Sequence, residues 1–356
     1  MSCDMVSDVA THHIGVTRIA VIFCCPGPVA PSLGSRRDVF LGPGKQYPLS
    51  PRGPDRVSRA GHAPARGGVA TTMSNETAQL LRVRSADGTA IAAYRSGTGS
   101  PLVLVHGVSS DRTRWQPVLP ALERAHTIYA MDRRGRGGSG DGSSYTIERE
   151  FEDVAALVNA IPQPVALLGH SFGAAVALRA ALLTSTVQTL LLYEGGGKPK
   201  GVISFAPAFI ERIEALLAAG ERDRLVATFL RDAVGMSPEE VERMRALPAY
   251  RGRLAAAHTI PREMRALNDY WFDAERYRAF APPTLVMVGG ASPPQAHAYA
   301  QALASALPSA RVEVLEGQHH NATDTAPRLF AETVLRFVAE AEGRRQRKLP
   351  IETAAP

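Results

Sequence analysis

Short apolar runs alternate with helical stretches along most of this 356-residue chain, and that alternation limits the fold more than any other feature. The runs Pro101–His106, Thr127–Asp132, Val165–Gly169, Val187–Glu194, Thr284–Gly289 and Arg311–Glu316 are short and of buried-strand type. Between most of them lie segments that read as helices: Trp115–Arg124, Ile147–Ile161, Gly173–Leu183, Pro294–Leu307 and Arg328–Glu342. Strand and helix alternating in this way predict an α/β fold, a mostly parallel sheet with helices on both faces. Ahead of the alternation, Leu80–Ala86 and Thr89–Arg95 flank Asp87-Gly88, the signature of a β-hairpin. One interval breaks the rhythm. Residues 195–281 hold no strand pattern but carry amphipathic stretches such as Ala208–Ala219, Arg222–Val234 and Pro238–Ala246, which predict an inserted helical cap.

Charge and cysteine content narrow the function classes. The excess of +6 suggests nucleic acid at first sight, but the arginines crowd the first 66 residues and the segment from Arg344 to Lys348. No basic helix is interleaved with aromatics and no zinc-finger spacing occurs, so no nucleic-acid partner is expected. No apolar run approaches the roughly 20 residues needed to cross a bilayer, so no membrane role is expected either. Cys3, Cys24 and Cys25 all precede the alternating region, which fits a reducing, cytoplasmic location. The apolar stretch Ile19–Pro26 is short and preceded by acidic residues and histidines, and is not read as a signal segment. Residues 1–74 are rich in Pro, Gly, Arg and Ser over much of their length and are expected to be disordered or mis-assigned, with Met73 as the expected true start. The remainder divides into a core of 75–194 and 282–342, a cap of 195–281, and a flexible basic tail of 343–356.

Chemistry enters at Gly169-His-Ser-Phe-Gly173, between an apolar run and an alanine-rich helix. A Gly-x-Ser-x-Gly sequence between strand and helix forms a turn so sharp that the serine hydroxyl stands exposed above the sheet, so Ser171 is the expected nucleophile. Directly after the first buried run comes His106-Gly107-Val108-Ser109-Ser110, where glycine lets the backbone close on a substrate oxygen. The N–H groups of Val108 and Phe172 are the expected oxyanion-hole pair. His106 is expected to orient that loop by hydrogen bonding. A base is expected after the last strand, where His319 and His320 stand side by side. Gly135-Arg-Gly-Gly-Ser-Gly140 matches a dinucleotide-binding pattern literally, but no helix opens after it and no acidic residue ends a second strand at the right distance, so no cofactor is expected. No metal-ligand cluster is evident. Trp115 reads as core, and Tyr270, Trp271 and Phe272 either line a substrate cavity or pack the cap.

From about Leu80 to Ala341 the sequence resembles the α/β-hydrolase fold family in its capped, serine-nucleophile form, carried by His106-Gly107, Asp132-Arg-Arg-Gly-Arg-Gly-Gly-Ser-Gly140, the Ser171 pentapeptide and a terminal His before Ala326-Pro327. The resemblance selects His320 over His319 as base and makes Asp132 structural. It also exposes a departure: the usual acid position, in a Gly-x-x-Asp pattern after Thr284–Gly289, is held by Ser292. Some members carry the acid one strand earlier, which points to Glu194 and a Ser171–His320–Glu194 triad. Asp324 is expected to cap the last helix. The resemblance implies hydrolysis of a small-molecule carboxylic ester, lactone or thioester. A lyase or perhydrolase using the same residues, and a binding protein weakened in catalysis by Ser292, are the alternatives.

Overall fold

The computed structural model describes residues 78–348. The expectations about residues 1–74, the three cysteines and the last part of the tail lie outside the described residues. Eight strands form one sheet in the order β1-β2-β4-β3-β5-β6-β7-β8. They are β1 (Gln79–Arg84), β2 (Ala90–Ser96), β3 (Ser100–Val105), β4 (His126–Asp132), β5 (Val165–His170), β6 (Val187–Tyr193), β7 (Thr284–Gly289) and β8 (Ala310–Leu315). β2 runs antiparallel to β1 and β4, while every pairing from β4 to β8 is parallel. The Asp87-Gly88 turn joins the hairpin as expected, with Gly88 alone in the positive-φ region.

The inner parallel strands β3, β5, β6 and β7 read as largely apolar runs because both faces are covered, whereas the edge strand β8 keeps Arg311 and Glu313. Along β3, Val103 and Val105 join one hydrophobic cluster while Leu102 and Leu104 join the other. On the first face pack α2 (Ile147–Asn159), α3 (Phe172–Ala180) and α9 (Pro294–Ala306), through residues such as Val154, Leu178 and Leu303. On the second pack α1 (Leu119–Leu122) and α11 (Pro327–Lys348), through Leu122, Phe330 and Phe337. Each fully buried Leu or Phe contributes roughly 1.5–3 kcal/mol by leaving water. Trp115 is fully buried in the second cluster, a core residue as expected.

Helix ends shift by a few residues in several places, and two helices depart further from the sequence reading. The stretch 115–124 is not one helix: a 3-10 turn covers Arg112–Trp115, and α1 holds only Leu119–Leu122. Pro117 and Pro120 explain the break, since each lacks an N–H and its ring collides with the preceding turn. At the other end, α11 continues to Lys348, past the expected start of the tail at residue 343. Glu342, Arg344, Arg345, Gln346 and Arg347 are good helix formers, and nothing among them stops the helix.

Between β6 and β7 the chain is helical: α4 (Pro207–Ala218), α5 (Arg222–Asp232), α6 (Pro238–Arg245), α7 (Ala249–Ala255) and α8 (Ile260–Asp269). Ile210, Ile213, Leu225, Phe229, Ile260 and Met264 form an apolar cluster of its own. Ser237 and Glu240 close a reciprocal capping box at the start of α6. α7 and α8 were not among the stretches singled out from the sequence; α8 buries Ile260 and Met264 in the apolar cluster, and both helices also carry charge to the sheet domain: Arg253 reaches Ser109, and Glu263 reaches Arg133 and Arg136. Among the described residues no helix is long and apolar enough to cross a membrane.

Candidate active site

Ser171 sits between β5 and α3 with φ 57° and ψ −121°, a conformation that L-residues avoid. The chain is held there from both sides. Its N–H donates to the Tyr193 carbonyl (2.8 Å), and Gly173 lies so close to the end of β3 that a Cβ would stand 2.3 Å from the Val105 carbonyl oxygen. Only glycine fits that approach, which is why the pentapeptide ends as it does. Two further non-glycine residues take positive φ among the described residues, Ser109 (57°) and Glu194 (54°). All three belong to the segments that sequence reasoning assigned to the site.

The loop after β3 lies over the serine. A Cβ on Gly107 would stand 3.0 Å from Ser171 Cβ and 3.5 Å from its Oγ, so the Gly107-Val108 backbone faces the hydroxyl. Among the described residues neither the Val108 nor the Phe172 N–H donates a backbone hydrogen bond. Phe172 also opens α3, where unpaired N–H groups and the helix dipole favour negative charge. His106 is fully buried; its Nδ1–H donates to the Gly107 carbonyl (2.9 Å) and its Nε2 accepts from the Arg133 N–H (3.3 Å). Burial, with the charges of Arg136 and Arg133, holds its pKa well below the usual imidazole value, so it is a neutral loop brace.

His320 follows β8 on the loop before α10 (Ala322–Thr325), and its Nδ1 lies 3.4 Å from Glu194 Oε2. The carboxylate is nearly enclosed, and its other oxygen accepts from the Gly289 N–H (2.7 Å) and the Ser292 hydroxyl (2.8 Å). Burial raises the Glu194 pKa, but the hydrogen bond and charge of His320, with the Gly289 and Ser292 donors, outweigh it and hold the group below the usual carboxylate range. Ser292, at the position where the resemblance places an aspartate, therefore serves Glu194 as a donor. The two histidines of the doublet are placed differently: His320 is half-buried against Glu194, whereas His319 is exposed.

Three supports were not read from the sequence. His170, next to Ser171, donates Nε2–H to the His320 carbonyl (2.9 Å), and the two rings lie 4.7 Å apart. Tyr193, next to Glu194, donates its hydroxyl to the His319 carbonyl and accepts the Ala322 N–H (3.1 Å). Arg133 is fully buried, chelates Glu150 (2.8 and 2.7 Å), donates to the Gly107 carbonyl (3.0 Å) and lies 4.2 Å over the Phe172 ring. Each contact joins residues far apart in sequence, so no local pattern announces it.

Other expectations fall into place or fail here. Asp132 accepts from the Arg112 N–H (3.0 Å), its guanidinium (3.0 Å) and the Gly138 N–H (2.8 Å), so the glycine-rich segment wraps a carboxylate rather than a phosphate. Asp324 does not cap the last helix. It lies inside α10 and pairs with the buried Arg114, whose guanidinium also reaches Asn321 Oδ1 (3.0 Å). Tyr270 is buried and bonds the Gly196 carbonyl (2.9 Å), and Phe272 packs 5.3 Å from Tyr277. Trp271 is partly exposed, beside a cavity of about 540 Å³ that is lined by none of Ser171, Glu194 and His320; a second cavity, of about 940 Å³, lies by Pro282 and Phe337 and is likewise lined by none of them. Among the described residues no group of three or more His, Cys, Asp or Glu is placed to hold a metal.

Comparisons with known proteins agree with this architecture. An alpha/beta hydrolase from Sphaerobacter thermophilus is 38% identical, with a TM-score of 0.64, over 72% of this chain and 100% of that one. An esterase from Rhodococcus shares the fold at 24% identity, with a TM-score of 0.60, over 73% of this chain and 98% of its own. The 2-(acetamidomethylene)succinate hydrolase of Mesorhizobium japonicum is 26% identical over 259 residues, 68% of this chain and 89% of the relative. Residues 102–333, from β3 into α11, match the model of the alpha/beta hydrolase family, and the chain belongs to that family.

Proposed function

We propose that the chain is a serine hydrolase that cleaves a small carboxylic ester, lactone or thioester through an acyl-enzyme. The observation that carries the proposal is the Glu194 Oε2–His320 Nδ1 contact at 3.4 Å, an acid and a base paired beside the residue that precedes Ser171. Glu194 accepts a hydrogen bond from the Nδ1–H of His320, which leaves Nε2 free to take the proton of Ser171 Oγ. The oxygen attacks the substrate carbonyl, and the oxyanion rests on the N–H groups of Val108 and Phe172. His320 then gives its proton to the leaving oxygen or sulfur as the carbonyl re-forms. Water, deprotonated by the same imidazole, releases the acyl group and returns the proton to Ser171. The hydrolases among the similar proteins support the reaction class.

Fluorophosphonate labelling of the full chain, followed by peptide mass spectrometry, tests the assignment. Ser171 is the expected labelled residue, with labelling lost in His320→Ala and kept in His319→Ala. A folded protein in which Ser171 stays unlabelled overturns the proposal.

A further inference from the structure

Four buried arginines surround the loop that lies over Ser171, and three have obvious carboxylate partners: Arg114 with Asp324, Arg133 with Glu150, Arg136 with Glu263. The fourth is different. Arg253, on α7 of the inserted segment, is only 9% exposed, yet among the described residues no carboxylate lies within 4 Å of it. It donates through Nη1 alone, to the Ser109 carbonyl (2.7 Å) and the Ser109 hydroxyl (3.0 Å). Its Nε and Nη2 make no hydrogen bond among the described residues, and they are absent from the sealed, partnerless atoms that include Arg114 Nε and Arg136 Nε. Two donors of a buried cation thus lack a partner among the described residues without being fully sealed from solvent.

Arg253 is anchored to the loop that lies over the proposed nucleophile. Ser109 follows Val108 directly and is two Cα steps, about 7 Å at most, from Gly107, which touches Ser171. α7 is held tightly to this loop: a Cβ on Gly252 would stand 2.1 Å from Asp111 Oδ2, so no side chain separates helix from loop next to Arg253. Asp111 and Asp324 are the acids whose charge Arg253 feels, but burial and the neighbouring Arg114 charge prevail and pull its pKa down to about 10. A guanidinium remains charged there, short of a counter-ion. Burying a charge without a partner is unfavourable, and a carboxylate bound by the two free N–H groups would remove that cost while using the planar fork of the side chain.

We infer that Arg253 is the anion-recognition residue of the site and that the preferred substrate is an ester bearing a free carboxylate a few carbons from the scissile carbonyl. The inference rests on the serine-hydrolase reading for the location of the reacting carbonyl. It names what that reading leaves open, the substrate class.

The test compares monomethyl succinate with methyl 4-methylpentanoate, in which an isopropyl group replaces the carboxylate, by methanol release at fixed ionic strength. The wild type is expected to prefer the anionic ester. Arg253→Gln is expected to lower kcat/KM for it at least about tenfold more than for the neutral ester, mainly through KM, with Arg253→Lys in between. Equal losses on both esters would mean that Arg253 only anchors Ser109, and turnover of both by the wild type without preference would likewise overturn the inference while leaving the serine reading intact. If neither ester is turned over and Ser171 resists labelling, calorimetric titration with succinate still decides. Binding by the wild type that Arg253→Gln abolishes supports the anion site, and no binding to the folded wild type overturns it.

Discussion

The Ser292 hydroxyl donates to Glu194 Oε1 at 2.8 Å, so the serine that replaces the customary acid supports the glutamate one strand away. Without it the carboxylate keeps the Gly289 N–H and His320 but loses a donor to its charged form. Hydrogen bonds to charged groups are worth about 1.5–3 kcal/mol, and the part expressed in the transition state is set by how far Glu194 then drifts. Ser292→Ala is expected to lower kcat about tenfold with KM little changed, and Ser292→Thr, which keeps the hydroxyl, to restore most of it. Steady-state kinetics on one ester decides. A fully active Ser292→Ala enzyme would show that Glu194 needs no such support.

The same carboxylate makes stability depend on pH. Glu194 is held below its ordinary value in the folded chain, so its contribution is fully present above the unfolded pKa of about 4.3 and is lost as pH falls through the lower, folded value. Glu194→Gln removes that contribution. The wild type is expected to have the higher Tm at neutral pH, and the gap is expected to narrow as pH drops below about 4.3. Thermal melts of both proteins across that range check it, and a gap constant with pH would sink the assignment of a charged, stabilised Glu194.

The strands were legible in the sequence because both faces of the sheet are buried, so that Leu102–Val105 and Leu190–Tyr193 read as continuous apolar runs. The Ser171 turn was legible because it needs glycine at 169 and 173, and Glu194 because it follows the strand beside the one that leads to Ser292. What stayed hidden depends on contacts across the chain. Nothing local to His170 or Tyr193 reveals that each holds the backbone of the His319-His320 doublet. Arg253 and Glu263 carry charge into the core from α7 and α8, and hydrophobic periodicity, which marks Ile260 and Met264, does not reveal the partners of those charges. The one misplaced helix, 115–124, had its breakers in plain view at Pro117 and Pro120.

Strain at the elbow gives a prediction that separates folding from function. Ser171 adopts φ 57°, a conformation that costs a non-glycine residue about 1–3 kcal/mol and that glycine accepts readily. Ser171→Gly gives back part of that gain through the greater entropy of its unfolded chain, about 0.5–1 kcal/mol. The variant is expected to melt higher than the wild type while having no hydrolytic activity, and Ser171→Ala is expected to be inactive without the increase in Tm. If Ser171→Gly melts lower, the serine side chain contributes contacts that outweigh the strain.

Two neighbouring arginines distinguish structural from catalytic support. Arg133 chelates Glu150 at 2.8 and 2.7 Å, and Arg134 chelates Asp153 at 2.7 and 2.7 Å, each as a fully buried pair. Removing one partner of such a pair strands a buried charge and costs about 3–5 kcal/mol, so Arg133→Met and Arg134→Met should both lower urea-unfolding stability by that order. Their effects on catalysis should differ. Arg133 also donates to the Gly107 carbonyl at 3.0 Å and lies 4.2 Å over the Phe172 ring, and these are the two segments proposed to supply the oxyanion donors. Arg134 instead reaches Asp87 (3.0 Å) and the Arg149 carbonyl (3.4 Å), away from that loop. Assayed at a temperature where both variants remain folded, Arg133→Met should lose at least about tenfold more kcat than Arg134→Met, the range expected when an oxyanion donor shifts rather than disappears. Equal kcat values would mean that the loop keeps its geometry without Arg133, and that the guanidinium serves only the packing between α2 and the sheet.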